Sequence, residues 1–296
     1  MWIEPPFNYT GSKFKLLNQL VPLFDKGPGR FVDLFSGGGS VYANVAGLYQ
    51  EVVANDIIAD LVSTQRLLLE DPEGMIARTR ALASPKDDQQ AYLALRASYN
   101  SEPTPEKLWA LMLCCTNNMM RFNRDFKFNQ TWGKRSFNER TEEKARGFAS
   151  RLAPFLPRIK FSSVDFGQVE PRAGDMTYID PPYSNTEAGY NAYWKDDDDL
   201  RLLAHCKRIG SVGSKFCVSG TISHAGERCR LITSLVDSGF TVVDMACDYN
   251  KVSRQGYKET REVAILNYPR PEPASNQADQ YPQPAKEAGI PTVFEV

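Results

Sequence analysis

Arg30-Phe-Val-Asp-Leu-Phe-Ser-Gly-Gly-Gly-Ser40 decides the fold of this 296-residue chain. Phe31 to Phe35 read as a short buried strand, the three glycines permit a tight turn, and Ser40 begins a helix through Leu48. A glycine loop then sits at the carboxyl end of the first strand, where backbone can approach a nucleotide closely. The pattern is not Gly-x-Gly-x-x-Gly, and no Gly-Lys-Ser/Thr follows, so neither a dinucleotide fingerprint nor a P-loop is matched. A second strand, Glu51 to Asn55, ends at Asp56, about 20 residues after the loop begins, where an acidic residue suits a ribose diol. The competing reading makes Asp56 a cap for a helix over Ile57 to Leu69. A nucleoside ligand without a pyrophosphate fits this pair of features, and S-adenosylmethionine is the obvious one.

A second stretch, Thr177-Tyr-Ile-Asp-Pro-Pro-Tyr-Ser-Asn185, reads as a buried strand that a double proline stops at Asp180. It leaves a carboxylate, an imide-linked carbonyl and an aromatic ring at a strand's carboxyl end. That set suits holding the exocyclic amine of a base. Asp180 and the Pro181 carbonyl accept its two protons, and Tyr183 stacks on the ring. Pro-Pro after Asp is also plain turn chemistry.

Composition narrows the class. Aromatic content of 11% and charge of 24% are those of an ordered soluble enzyme. No apolar run approaches the roughly 18 residues needed to span a membrane. Met-Trp-Ile-Glu-Pro-Pro-Phe at the start is not a signal peptide. Six cysteines without metal-type spacing fit a reduced, cytoplasmic protein, and two histidines make a zinc site or a histidine triad an unlikely basis for function. The net charge of −1 hides an asymmetry. Thr116 to Lys160 carry 11 Lys+Arg against 4 Asp+Glu, net +7, whereas the remainder carries 24 against 32, net −8. Concentrated positive charge is the footprint of a phosphate-binding surface, with a solvated helix face near Glu142 to Arg158 as the plainer account of part of it.

The rest of the chain supports an α/β architecture with an insertion. Asn8 to Lys15 form a polar glycine turn before an apolar helical run, Leu16 to Phe24, with Tyr9 and Lys13 as candidates to hold a small ligand. Ile58 to Asn117 is helical, with apolar stripes at Leu61–Leu69, Ala91–Tyr99 and Leu108–Cys115 separated by Pro85, Pro103 and Pro105. Thr116 to Arg135 then interleave Arg, Lys, Asn and aromatics, the side chains that read guanine and adenine and wedge between bases, as a hairpin with Arg124-Asp125 at its tip. Strands resume at Ile159–Ser163, ending near Asp165-Phe166, and at Lys215–Ser219, Thr241–Ala246 and Glu262–Asn267. Asp196–Asp199 serve only to cap and solvate a helix through Ile209. Residues from Pro269 onward read as a flexible tail.

Tyr9, the glycine loop, the basic stretch and Asp180-Pro-Pro-Tyr183, in this order, resemble the Dam-type DNA adenine methyltransferases of the α group, from about Tyr9 to Asn267. The resemblance implies a Rossmann-like S-adenosylmethionine-dependent methyltransferase sheet. Its catalytic domain is residues 1–57 and 158–268, its inserted, mostly helical DNA-recognition domain with a β-hairpin is 58–157, and 269–296 is a tail. It further implies that Tyr9, Lys13, Asp33, Phe35, Gly37, Asp56, Asp165 and Phe166, with Asp180, line the cofactor pocket, and that Asp180, Pro181, Pro182 and Tyr183 hold a flipped adenine in duplex DNA. Asn117, Met119 and Arg121 fall where the family contacts the orphaned base position and flanking bases. Arg124, Asn129, Lys134 and Arg135 belong to the recognition hairpin. Ser12 stands where the family usually has a second glycine, and Thr131-Trp132 replace the common Pro-Phe, so the sequence read need not be GATC. No metal is called for, and the location expected is the cytoplasm of a bacterial or phage-infected cell. Rival readings are the same chemistry on cytosine or RNA, and a catalytically silent DNA-binding protein.

Overall fold

The computed structural model describes residues 1–182, 194–195, 197–224, 227–246 and 261–272. Tyr183, Asp196, Cys247 and the tail beyond Glu272 lie outside the described residues.

Nine strands are described: β1 (Phe31–Asp33), β2 (Val52–Asn55), β3 (Ile159–Ser162), β4 (Met176–Ile179), β5 (Lys215–Thr221), β6 (Ser223–His224), β7 (Glu227–Arg228), β8 (Thr241–Met245) and β9 (Glu262–Leu266). Seven of them form one sheet in the order β3-β2-β1-β4-β5-β9-β8, and β6 with β7 makes a separate ribbon. Pairing is parallel from β3 through β5, then antiparallel for β5 with β9 and for β9 with β8. The strand order reverses between β1 and β4. The register there sets Asp33 opposite Tyr178, which brings the carboxyl ends of both strands to the switch point, where open α/β sheets bind ligands. The α/β fold class is as expected.

Nine α-helices are found among the described residues: α1 (Leu17–Leu20), α2 (Tyr42–Val45), α3 (Ala59–Glu70), α4 (Pro72–Leu82), α5 (Gln89–Ser101), α6 (Pro105–Cys114), α7 (Glu139–Leu152), α8 (Asp198–Ser211) and α9 (Arg230–Asp237). Strand residues alternate between two apolar layers, as the period of two requires. Phe31, Met176 and Tyr178 pack with α1, α2 and the helices between β2 and β3. Val32, Ile179, Phe216 and Val218 pack against Leu202, Cys206 and Ile209 of α8 and Leu231, Ile232 and Leu235 of α9. The five described cysteines are buried, so they serve as small core residues.

Local chemistry sets the helix starts. Asp71 accepts from the Gly74 amide at 3.0 Å with Pro72 as first residue, Asp88 accepts from Ala91, Thr104 from Lys107 with Pro105 first, and Asn138 from Thr141. Pro105 therefore opens a helix rather than separating two, because the first turn needs no proline amide. The helix expected over Ser40 to Leu48 is a single turn, α2, closed by a tight Leu48 amide to Val45 carbonyl bond before the chain re-enters the sheet at β2. The larger correction is the hairpin. Thr116 to Arg135 pair only through isolated bridges, Cys115 with Trp132 and Phe122 with Phe128. Four non-glycine residues at positive φ, Asn117, Asn118, Phe126 and Lys134, break the extended backbone that a continuous ladder needs. The tip is nonetheless where expected, since Asn123 Oδ1 takes the amides of Asp125 and Lys127 and turns the chain over Arg124-Asp125.

Candidate active site

Four strand ends and one N-terminal turn converge on a single cleft. Tyr9 and Lys13 line it from the turn, Asp33, Phe35 and Gly37 from the end of β1, Asp56 from the end of β2, Asp165 and Phe166 from beyond β3, and Asp180, Pro181 and Pro182 from the end of β4. Residues scattered over 170 positions are thus brought together by the parallel sheet.

Asp180 is the most constrained of them. Lys13 Nζ lies 2.8 Å from both of its carboxylate oxygens, and Ser219 Oγ donates to Oδ1 at 3.0 Å. Ser219 in turn stands 2.7 Å from the buried Tyr178 hydroxyl. The side chain of Lys13 is 6% exposed and that of Asp180 18%, so the pair is shielded while the carboxylate still faces the cleft. Lys13 also donates to the Gly11 carbonyl at 3.0 Å, which fixes the turn that carries it.

The glycine loop is built by its neighbours. Gly37 has φ of +48°, and a Cβ there would come within 2.8 Å of the Tyr9 ring. The glycines thus let Tyr9 lie on the loop. The Gly37 amide donates to Asp56 Oδ2 at 3.0 Å, and Asp56 Oδ1 takes the Ile58 amide at the same distance. The N-cap position of α3 is Ile58, so Asp56 ties loop to strand end without capping the helix. Each of its oxygens keeps a second lone pair.

Electrostatics single out Asp33. Its Oδ2 accepts the Tyr42 amide at 3.0 Å, while Oδ1 is buried with no partner among the described residues. Burial pushes this carboxyl well above the usual carboxylate range, the Tyr42 amide opposes that, and Asp180 and Asp56 add to it. Burial likewise raises Asp56, against the amides of Ile58 and Gly37. A cleft lined by five aspartates and one lysine favours a cationic occupant.

Of its far wall, Phe35 and Phe166 were expected and Trp194 was not. Phe35, Phe166 and Trp194 form a ring cluster with centroids 5.7–5.9 Å apart, and Trp194 Nε1 donates to Asp199 Oδ1 at 3.0 Å. Asp198 takes the Lys195 amide and an Arg201 bond, and Arg201 also bonds Asp165 and lies 4.8 Å over Phe166. Asp198 and Asp199 are buried, so these two of the run anchor the cleft wall and are not simply solvated capping, while Asp197 is exposed. The tryptophan two positions before the run was the available signal.

The expected DNA-contacting residues divide in two. Asn117 and Met119 border a second cleft that shares Tyr9, Thr10 and Ser12 with the first, and Lys134 and Arg135 line a third. Arg121, Arg124 and Asn129 line none of these. Arg121 Nε donates to Asn129 Oδ1 at 3.0 Å, Arg135 donates to Asn118 at 2.6 Å, Lys134 stands 5.7 Å over the Trp132 ring, and Arg124 is exposed at the tip.

Among known proteins, the modification methylase StsI of Streptococcus sanguinis is 30% identical over 286 residues, covering 90% of this chain and 43% of that protein. The type II methyltransferase M.FokI of Planomicrobium okeanokoites is 29% identical over the same shares. A DNA N-6-adenine-methyltransferase of Escherichia phage P1 is 27% identical over 73% of this chain and 29% of its own length. The chain thus spans less than half the length of these curated relatives. With residues 9–250 matching the D12 class N6 adenine-specific DNA methyltransferase model, the chain belongs to that family.

Proposed function

We propose that this chain moves a methyl group from S-adenosylmethionine to the 6-amino group of an adenine flipped out of duplex DNA. The observation that carries the reading is the fixed carboxylate of Asp180, held by Lys13 and Ser219 at the switch point of the sheet and open to the cleft. The cleft's residues fit the cofactor. The partnerless, buried Asp33 Oδ1 suits a cationic donor, Asp56 retains acceptors for a diol, and the Phe35, Phe166 and Trp194 wall suits a base. Bound there, the cofactor supplies an electrophilic methyl on a sulfonium.

The chain's own part is positional. Asp180 Oδ and the Pro181 carbonyl accept the two amine protons, which turns the nitrogen lone pair outward, and Asp180 takes one proton once the nitrogen is methylated. Lys13 and Ser219 keep the carboxylate from turning away, and Tyr183 stacks on the base. Residues 58–157 act as the target-recognition unit between β2 and β3, with Asn117, Met119 and Arg121 at bases and Lys134 at phosphate. A substrate of DNA puts the protein in the cytoplasm of a bacterial or phage-infected cell. No described helix is long and apolar enough to cross a membrane.

The test is nucleoside mass spectrometry of DNA and RNA incubated with labelled S-adenosylmethionine and either the wild type or Asp180→Ala. Label should appear in N6-methyladenine of duplex DNA. Asp180→Ala should lower turnover by about 10²–10³ or more while leaving cofactor affinity largely intact. Label in N4-methylcytosine or in RNA, or near-normal turnover by the variant, would overturn the assignment.

A further inference from the structure

The surplus of positive charge between Thr116 and Lys160 is only partly used by the fold. Arg146 bonds Glu73 and Glu142, Arg151 bonds the carbonyls of Met1 and Trp2, and Arg158 lies over Phe155. These groups fasten α7 and the turn after it, and they account for the helix-face share. The cations before them do something else. Lys134, Arg135, Arg140 and Lys144, joined by Lys86 from the segment before α5, border an open cleft of about 1900 Å³. Only Glu4 and Glu143 oppose them there.

Position gives this cleft its meaning. Tyr9, Thr10 and Ser12 are shared between the Asp180 cleft and the one holding Asn117 and Met119. Glu4, Phe7, Asn8 and Lys144 are shared between that second cleft and the basic one. Each of the three clefts therefore adjoins the next, in the order Asp180 cleft, base-contacting candidates, cationic cleft. Lys86 and Arg140 are exposed there, and neither side chain makes a hydrogen bond or ion pair among the described residues. Lys144 pairs with Glu4 at 2.7 Å, an exposed contact that a phosphate could replace at small cost.

Resting on the DNA reading above, we infer that this cleft takes the phosphate backbone of DNA outside the sequence that is read, on one side of the target adenine, with Lys86 and Arg140 as anchors. Phosphate contacts position without specifying, and each neutralised phosphate adds about 0.9 to the slope of log affinity against log salt. The cleft therefore sets affinity and register, and leaves sequence choice to the loop from Thr116 to Arg135.

The experiment compares the wild type with Lys86→Ala/Arg140→Ala on two duplexes carrying the same methylated site, found beforehand by mapping modified adenines. One duplex ends close to the site and the other extends by about one helical turn on each side. Wild type should bind the long duplex more tightly and with a steeper salt slope. The double variant should lose about two units of slope on the long duplex and most of the length advantage. On the short duplex its binding, its turnover at saturating DNA and its preference among sites should match wild type. Circular dichroism and melting confirm that the variant is folded, and each single variant repeats the measurement with about one unit of slope. An unchanged slope on the long duplex overturns the inference. Equal losses on both duplexes also overturn it, by placing the cleft on the recognised bases. Length-independent wild-type binding assigns the cleft to some other acidic partner and ends it as well. If wild type leaves DNA adenine unmethylated, it is the proposed function that falls.

Discussion

Asp33 illustrates what a buried, unsatisfied carboxyl costs the folded protein. Its Oδ1 is buried without a partner among the described residues, and desolvation raises the carboxyl well above its ordinary 3.8. An acid whose pKa is raised by folding binds more protons folded than unfolded between those two values. Its contribution to stability therefore falls as pH climbs through that window. Asp33→Asn removes the titration and keeps an acceptor for the Tyr42 amide. The variant should be more stable than wild type at pH 8, by on the order of 1–3 kcal/mol, the scale of an unsatisfied buried group. Its advantage should shrink as pH is lowered toward 4, and S-adenosylmethionine should bind it more weakly. Urea unfolding at several pH values, with calorimetry for the cofactor, reads both effects. An advantage that does not change with pH would show that Asp33 is not the titrating group. At this scale the sequence displayed Asp33, Asp56 and Asp180, because strand ends announce themselves through glycines and prolines. It could not display that Ser219 bonds Asp180 and that the Tyr178 hydroxyl backs Ser219, since both contacts depend on the pairing of β4 with β5.

The element proposed to read bases, Thr116 to Arg135, is an irregular loop braced from beside it. α5 holds it by its polar groups: Asn100 donates to the Phe128 carbonyl and accepts its amide, while Tyr92 and Arg96 both donate to the Gln130 carbonyl. Tyr99 and Phe122 pack edge-on against Phe128. The apolar stripe in the sequence found α5, yet its tyrosines read there as core only, since period gives burial and says nothing of where a hydroxyl lands. Interleaved Arg, Asn and aromatic residues likewise suggested a hairpin, and left-handed backbone at four of them could not be foreseen from residue type. Within this braced loop Arg121 is aligned by Asn129. Arg121→Ala should lower methylation of the true site and narrow its advantage over sites differing by one base pair by about 1–3 kcal/mol. Kinetics on the target and on each single-base variant measure this. If all sites lose activity by one common factor, Arg121 is a phosphate anchor and Asn117, Met119 and Arg124 become the candidates for base reading.

Across the whole molecule, the N-terminal segment joins the sheet to the inserted helices. The Ile3 amide donates to the Asn44 side-chain Oδ1 and the Ile3 carbonyl accepts from Asn44 Nδ2, Arg151 of α7 reaches the Trp2 carbonyl, and Phe7 sits edge-on to Trp109 of α6 and Phe148 of α7. Two residues further on, Tyr9 covers the glycine loop, and Lys13 reaches Asp180. In the sequence this stretch was a weak polar turn, because its role depends on partners more than a hundred residues away. The arrangement predicts that anchoring at Phe7 governs the cofactor cleft. Phe7 is 5% exposed, so Phe7→Ala should cost about 3–5 kcal/mol and lower the melting temperature by several degrees. It should also weaken S-adenosylmethionine, since Tyr9 and Lys13 would lose their fixed approach. Phe137→Ala is the control, because Phe137 packs on the same Trp109 at 5.8 Å but carries no cleft residue behind it. It should lower the melting temperature while leaving the cofactor dissociation constant near that of wild type. Calorimetric titration of both variants below their melting temperatures decides the matter. Equal loss of cofactor affinity in the two would mean that general loosening of the helical half, and not the N-terminal segment, reaches the cleft.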